Sequence, residues 1–217
     1  MTERIGVLRV VTSDDADFIR CHQQLMAAII PGKQWQSRCL PDQPNGIHNP
    51  ETFAQALPKI VTLGTQWQKD IDLLVVSCAA DPGLDALRDI LTIPVMGAGE
   101  SCCALSRQHG DVIGILGIEP EQPAAFTRAL QGCRLIYRRP DKVHCTHDIH
   151  TAEGKASIIA AALECERLGA QVIALACTGM ATTDVAGLLV PYTDLPVINP
   201  VLAVAQLIKQ RDEDRKI

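Results

Sequence analysis

Apolar residues fall along this chain in short, β-branched runs separated by longer stretches with helical spacing. Runs at 5–11, 72–78 and 93–98, with a weaker one at 35–40, predict four strands in the first half. Runs at 112–118, 134–138, 172–177 and 195–200 predict four more in the second. Successive residues within the runs are apolar, as in strands covered on both faces. Strands alternating with helical segments imply parallel sheets and right-handed crossovers.

Helix starts are marked at Asn49-Pro50 and Asp81-Pro82, where a capping side chain precedes proline at the first helical position. Phe53, Ala56, Leu57, Ile60 and Leu63 then form a stripe that Pro58 should kink. Leu84, Leu87, Ile90 and Leu91 form another. Residues 155–170 read as a helix ending at Gly169, and 200–210 as a closing helix that returns to the first half. The order "DLLVVSC…LTIPVMGAG" is repeated by "QVIALAC…TDLPVINP". This repeat predicts two similar α/β lobes: residues 1–96 with 200–217, and residues 97–199.

Composition narrows the class. The chain has 217 residues, enough to bury a core in one large domain or two small ones. No apolar run reaches membrane-spanning length, and "MTERIGVLRVVTSDD" lacks the features of a signal peptide. A cytoplasmic protein with no membrane partner is expected. The net charge of -5, with scattered Lys and Arg, offers no basic face for nucleic acid. The polar end from Arg211 to Lys216 reads as a solvated terminus. Nine cysteines at irregular spacing, with no C-x-x-C pair, indicate reduced thiols and argue against a zinc ribbon or thioredoxin-type site.

Two of those cysteines sit at equivalent places. Cys78 and Cys177 each end an apolar strand and precede a turn and a helix start, Asp81-Pro82 in one half and Thr182 or Thr183 in the other. Ligands of parallel α/β sheets bind beyond the carboxyl ends of the strands. Lobes related by an approximate two-fold axis would bring both thiols to one ligand. Inverting a carbon beside a carbonyl needs that arrangement, because one group removes a proton and the other returns one to the opposite face. A free thiol titrates near about 8.5, and a helix N-terminus favours its thiolate. The pair would titrate as a coupled system. Backbone N–H groups of Ala79, Ala80, Thr178 and Gly179 are candidate donors to the enolate oxygen. The simpler reading of each cysteine alone is a small core hydrophobe.

Other motifs carry less. His144, Cys145, His147, Asp148 and His150 are dense in metal-ligand types, but their spacing fits no zinc pattern and a polar loop accounts for them. "GAGES", residues 97–101, lacks the rest of a phosphate loop and reads as a tight strand-to-helix turn. Glu119 stands at a strand end, as a cleft carboxylate or a solvated one. Cys102, Cys103, Cys133 and Cys165 read as packing residues.

"SCAADPGLDALRDILTIPVMGAGES" and "ALACTGM" together resemble the aspartate/glutamate/hydantoin racemase superfamily, in its hydantoin racemase branch. The resemblance runs from about Ile5 to Ile208. It implies two pseudo-symmetric Rossmann-like lobes with the active site in the cleft between them. It also implies catalytic Cys78 and Cys177, with no cofactor and no metal. The loops around Thr12 and Ser13, and around Asn45, Gly46 and Ile47, would approach the ligand. The substrate implied is a hydantoin or related carbonyl compound, and a homo-oligomer is expected. "RVVTSDD" stands where this branch usually has an Asn-Pro-Asn turn. Cys177-Thr178-Gly179 replaces the Cys-Thr-His of glutamate racemases, against a glutamate or aspartate substrate. Cys78 argues against the superfamily's decarboxylases. An amino-acid racemase, a maleate-type isomerase, a two-lobed small-ligand binding protein and a thiol redox sensor remain as alternatives.

Overall fold

The computed structural model describes residues 2–215. It contains two four-stranded, all-parallel sheets. The first is built from β1 (Arg4–Arg9), β2 (Gln34–Cys39), β3 (Leu73–Ser77) and β4 (Val95–Gly97), in the order β2-β1-β3-β4. The second, from β5 (Val112–Leu116), β6 (Arg134–Arg138), β7 (Val172–Leu175) and β8 (Val197–Ile198), has the same plan, β6-β5-β7-β8. The α/β class and the eight strands therefore follow the hydrophobic pattern, with most strands one to four residues shorter than the apolar runs.

Helices cover both faces, which is why the central strands are apolar throughout. On one face of the first sheet, Leu8, Leu74 and Val76 pack against Ala56 and Ile60 of α2 (Pro50–Trp67) and Leu84 and Leu87 of α3 (Leu84–Ile90). On the other, Ile5, Val7, Leu73 and Val75 meet Met26 of α1 (Ala16–Ile29) and Val201, Val204 and Ile208 of α9 (Pro200–Asp214). The last helix thus packs on the first sheet. The reciprocal crossing is made by α4 (Ala98–Arg107): its Cys102 and Cys103 pack with Ile113, Ile115, Val172 and Ala174 of the second sheet, beside Phe126 of α5 (Ala124–Ala129). The outer face of that sheet is closed by Ile158, Ala162 and Cys165 of α6 (Ala152–Arg167). Each sheet therefore sends its final helix to the other lobe, and burial of both faces holds the lobes together.

Caps explain most helix starts. Asn49 accepts the Thr52 amide, with Thr52 returning the bond in a capping box, and Pro50 follows as expected. The helix runs unbroken from Pro50 to Trp67 across Pro58. Gly169, at φ +91, ends the α6 turn in the left-handed conformation that glycine supplies cheaply. Two expectations are corrected. Asp81 does not cap α3: it is itself left-handed at φ 49, Gly83 precedes α3, and the Asp81 carboxylate instead accepts the Gly99 and Glu100 amides at the start of α4. The helix after Cys177 begins at Gly179 (α7, Gly179–Thr182), and Asp184 caps a separate α8 (Val185–Leu189). Among the described residues no helix is long and apolar enough to cross a membrane.

Candidate active site

Cys78 directly follows β3 and Cys177 stands two residues beyond β7, at the carboxyl ends of matching strands. Cys78 is half-buried, packed with Ile47 against the first core, and Cys177 is 9% exposed. The Cys78 carbonyl accepts the Asp81 amide and the Cys177 carbonyl the Met180 amide, each at 3.1 Å. Backbone N–H groups also face the sulfurs, that of Ala80 at Cys78 and those of Gly179 and Met180 at Cys177.

Burial nevertheless decides the ionisation of both thiols. It pushes Cys78 up to about 12, opposed by the Ala80 amide and reinforced by the charges of Asp81, Cys177 and Glu119. It pushes Cys177 up to about 11, opposed by the Gly179 and Met180 amides and reinforced by Glu119. The helix-end donors expected to favour thiolate are present, but desolvation outweighs them. The charge of Cys177 is felt at Cys78, and the charge of Glu119 is felt at both sulfurs. Glu119 follows β5, and β5 pairs with β7 at Leu116↔Leu175, so the carboxylate emerges beside the Cys177 turn.

Tyr137 and His48 complete this wall. The Tyr137 ring lies against Gly117, where a Cβ would come within 2.5 Å of its hydroxyl, and that hydroxyl donates to the Glu119 carbonyl at 2.5 Å. Burial raises the phenol further, aided by Glu119. Burial likewise raises the Glu119 carboxyl, while His48, from the loop before α2, lowers it. The residue two after Cys177 is glycine because Thr146 fills the space beside it: a Cβ there would stand 2.8 Å from Thr146 Cγ2 and 3.4 Å from Cys177 Sγ.

The remaining predicted site residues lie in two loops that brace each other. Thr12 Oγ1 donates to the Leu40 carbonyl at 2.7 Å and accepts the Gln43 amide at 2.6 Å, so its hydroxyl is committed to the scaffold. Ser13 accepts the Asp15 amide, and its own N–H faces the Cys39 sulfur. Gly46, at φ +62, gives its carbonyl to Gln43, leaving Asn45 exposed and Ile47 turned to the core. Thr178 and Ala79 flank the cysteines; Ala79 is buried against α4. Tyr137, His48 and Thr146 went unnoticed in the sequence, because nothing local to them marks a cleft. The His144–His150 segment is a loop closed by a single 3-10 turn (Asp148–His150), in which Asp148 accepts the His144 and Cys145 amides, and no group of metal-ligand side chains gathers anywhere among the described residues.

The fold defines a class: two-lobed α/β proteins built on two parallel sheets of the same strand order. The chain belongs to the Asp/Glu/hydantoin racemase family, whose model matches residues 8–208, and is accordingly an isomerase of racemase type. Among solved structures it is similar to an allantoin racemase from Klebsiella pneumoniae (TM-score 0.80, 21% identity, covering 96% of this chain and 87% of that one). It is also similar to an allantoin racemase from Pseudomonas fluorescens (TM-score 0.80, 17% identity, 97% and 91%). A glutamate racemase, RacE1 from Bacillus anthracis, follows the same fold (TM-score 0.73, 14% identity, 98% and 82%). No match is found among curated protein sequences.

Proposed function

We propose that the chain is a hydantoin racemase-like enzyme, independent of any cofactor, in which Cys78 and Cys177 are the two acid/base groups. The observation that carries this reading is the pair of thiols on equivalent turns, one feeling the other's charge and both feeling Glu119. One sulfur, as thiolate, takes the α-hydrogen from one face of the substrate. The electron pair moves onto the adjacent carbonyl as an enolate. The other sulfur, still a thiol, gives its proton to the opposite face. Thiol and thiolate have then exchanged places, ready for the opposite enantiomer. A thiolate whose pKa is raised by burial is a strong base, suited to a weakly acidic C–H, and the coupling of the pair keeps only one sulfur ionised at a time.

The substrate class proposed is a 5-substituted hydantoin or related cyclic ureide such as allantoin. Glu119 supports it, since a carboxylate whose charge is felt at both thiols would accept ureide N–H groups and repel the carboxylates of aspartate or glutamate. The N–H groups of Ala79, Ala80, Thr178 and Gly179 are the proposed enolate donors, and the Thr12–Ser13 and Asn45–Ile47 loops the proposed rim. The lobes are taken as 1–96 with 200–217 and 97–199, residues 1, 216 and 217 lying outside the described ones, a division supported by the crossed packing of α4 and α9. The test is a polarimetric screen of hydantoins, allantoin, aspartate and glutamate under reducing conditions, with α-hydrogen exchange followed in D2O. Racemisation of a ureide is expected; turnover of an amino acid alone, or of nothing in the screen, overturns the assignment.

A further inference from the structure

Beneath the two cysteine turns lies a histidine that the proposed chemistry does not use. His22 projects from α1 and is 1% exposed. Its Nδ1 lies 2.8 Å from Ser77 Oγ, and its Nε2 lies 3.2 Å from Thr182 Oγ1. Ser77 is the residue before Cys78. Thr182 closes α7, the short helix whose first amides face the Cys177 sulfur. The Thr178 carbonyl, one residue after Cys177, also addresses the ring. A histidine buried only for packing would need any two partners; here one partner immediately precedes Cys78 and the other ends the short helix that follows Cys177, one from each lobe.

The ring is a fixed, uncharged spacer. Burial first, and then the Arg9 guanidinium, hold its pKa well below the ordinary histidine range. A neutral imidazole donates from one nitrogen and accepts at the other, and hydroxyls can meet either role. Leaving a buried partner unpaired is costly, so the turns are held at the separation the ring dictates.

We propose that His22 is a positioning residue that sets the two thiol-bearing turns relative to each other. The proposal rests on the reading that Cys78 and Cys177 serve one substrate, but it can be tested without a substrate. Iodoacetamide alkylation under reducing conditions, mapped by peptide mass, reads each thiol separately. His22→Asn keeps a polar group near Nδ1, and His22→Gln keeps one near Nε2. The Asn variant is expected to change alkylation of Cys177 about fivefold and leave Cys78 near wild type, with the Gln variant doing the reverse, as loss of one buried hydrogen bond predicts. On a ureide substrate, both variants should lower kcat in both directions with KM held within about twofold.

Should the His22 variants fail to fold by circular dichroism, Ser77→Ala and Thr182→Val remove one bond each with the ring in place, and the same split is expected. Unchanged alkylation at both thiols in folded variants overturns the positioning role, whatever happens to racemisation. Shifted alkylation in a protein that racemises nothing upholds the positioning role and defeats the functional reading instead.

Discussion

Cys78 and Cys177 open the same turn. Each carbonyl accepts the amide three residues on at 3.1 Å, and each turn directs a main-chain N–H at its own sulfur. The turns follow β3 and β7, third in chain order and interior in their respective sheets. Matched backbone on matched strands presents the two sulfurs from corresponding positions, which suits a reaction that must run in both directions.

Cys78→Ala and Cys177→Ala should each abolish racemisation, since a positioned acid or base contributes roughly 10²–10⁴-fold and each direction needs both. Single Ser variants should keep α-hydrogen exchange with one enantiomer only, seen as one-sided deuterium uptake by mass spectrometry. Undiminished racemisation in the double Ala variant would sink the two-thiol mechanism.

Activity should climb with pH. Burial raises both thiols, to about 11 and about 12, so the thiolate fraction grows about tenfold per pH unit below the lower value. A plot of log kcat/KM should rise with a slope near one between about pH 7 and 9. A flat profile there contradicts the assignment of the base. Stability moves the other way: with folded values above the ordinary 9.0, the contribution of these thiols is complete below about pH 9 and is lost as pH climbs through about 11 to 12. Urea midpoints taken between about pH 8 and 10 check the sign.

Glu119→Gln removes a negative charge that raises both thiols after the effect of burial. Alkylation of Cys78 and Cys177 at fixed pH should therefore speed up together, while racemisation of a ureide slows because a charged N–H acceptor is replaced by a neutral amide oxygen. Faster alkylation at one sulfur only would show that the charge of Glu119 does not act on both.

Gly99→Ala tests the junction beneath Cys78. A Cβ at Gly99 would lie 2.1 Å from the Ala79 carbonyl oxygen and 2.7 Å from Asp81 Oδ2. The first of these is backbone and cannot swing aside, so the α4 N-terminus must withdraw from the turn. A loss of about 1–3 kcal/mol in urea unfolding is expected from such overpacking, together with reduced activity. Wild-type stability and turnover would mean that the turn tolerates the shift.

The glycine-rich "GAGES" stretch shows how much the sequence held. It reads as a tight strand-to-helix turn, and it is one: Gly97 ends β4 and α4 begins at Ala98. The reason for its glycines lies elsewhere, in the Asp81 carboxylate and the Ala79 carbonyl that press against it. Asp81 illustrates the limit from the other side. Its position before Pro82 predicts a cap for α3, yet its carboxylate reaches forward to α4, in a turn where Asp81 itself and Gly83 are left-handed.

What the chain alone determined was local and periodic: eight apolar runs, the helices between them, the twofold repeat, and a cysteine at the same step of each repeat. Strands buried on both faces write themselves as continuous apolar runs, so those features survive without any knowledge of partners. Tertiary structure decided the exchange of α4 and α9 between lobes, the gathering of Glu119, Tyr137 and His48 near the thiols, and the ring of His22 between turns whose residues lie 55 and 160 positions away from it. It also decided the protonation of the thiols, because desolvation is a property of everything packed around a group and not of its neighbours in the chain.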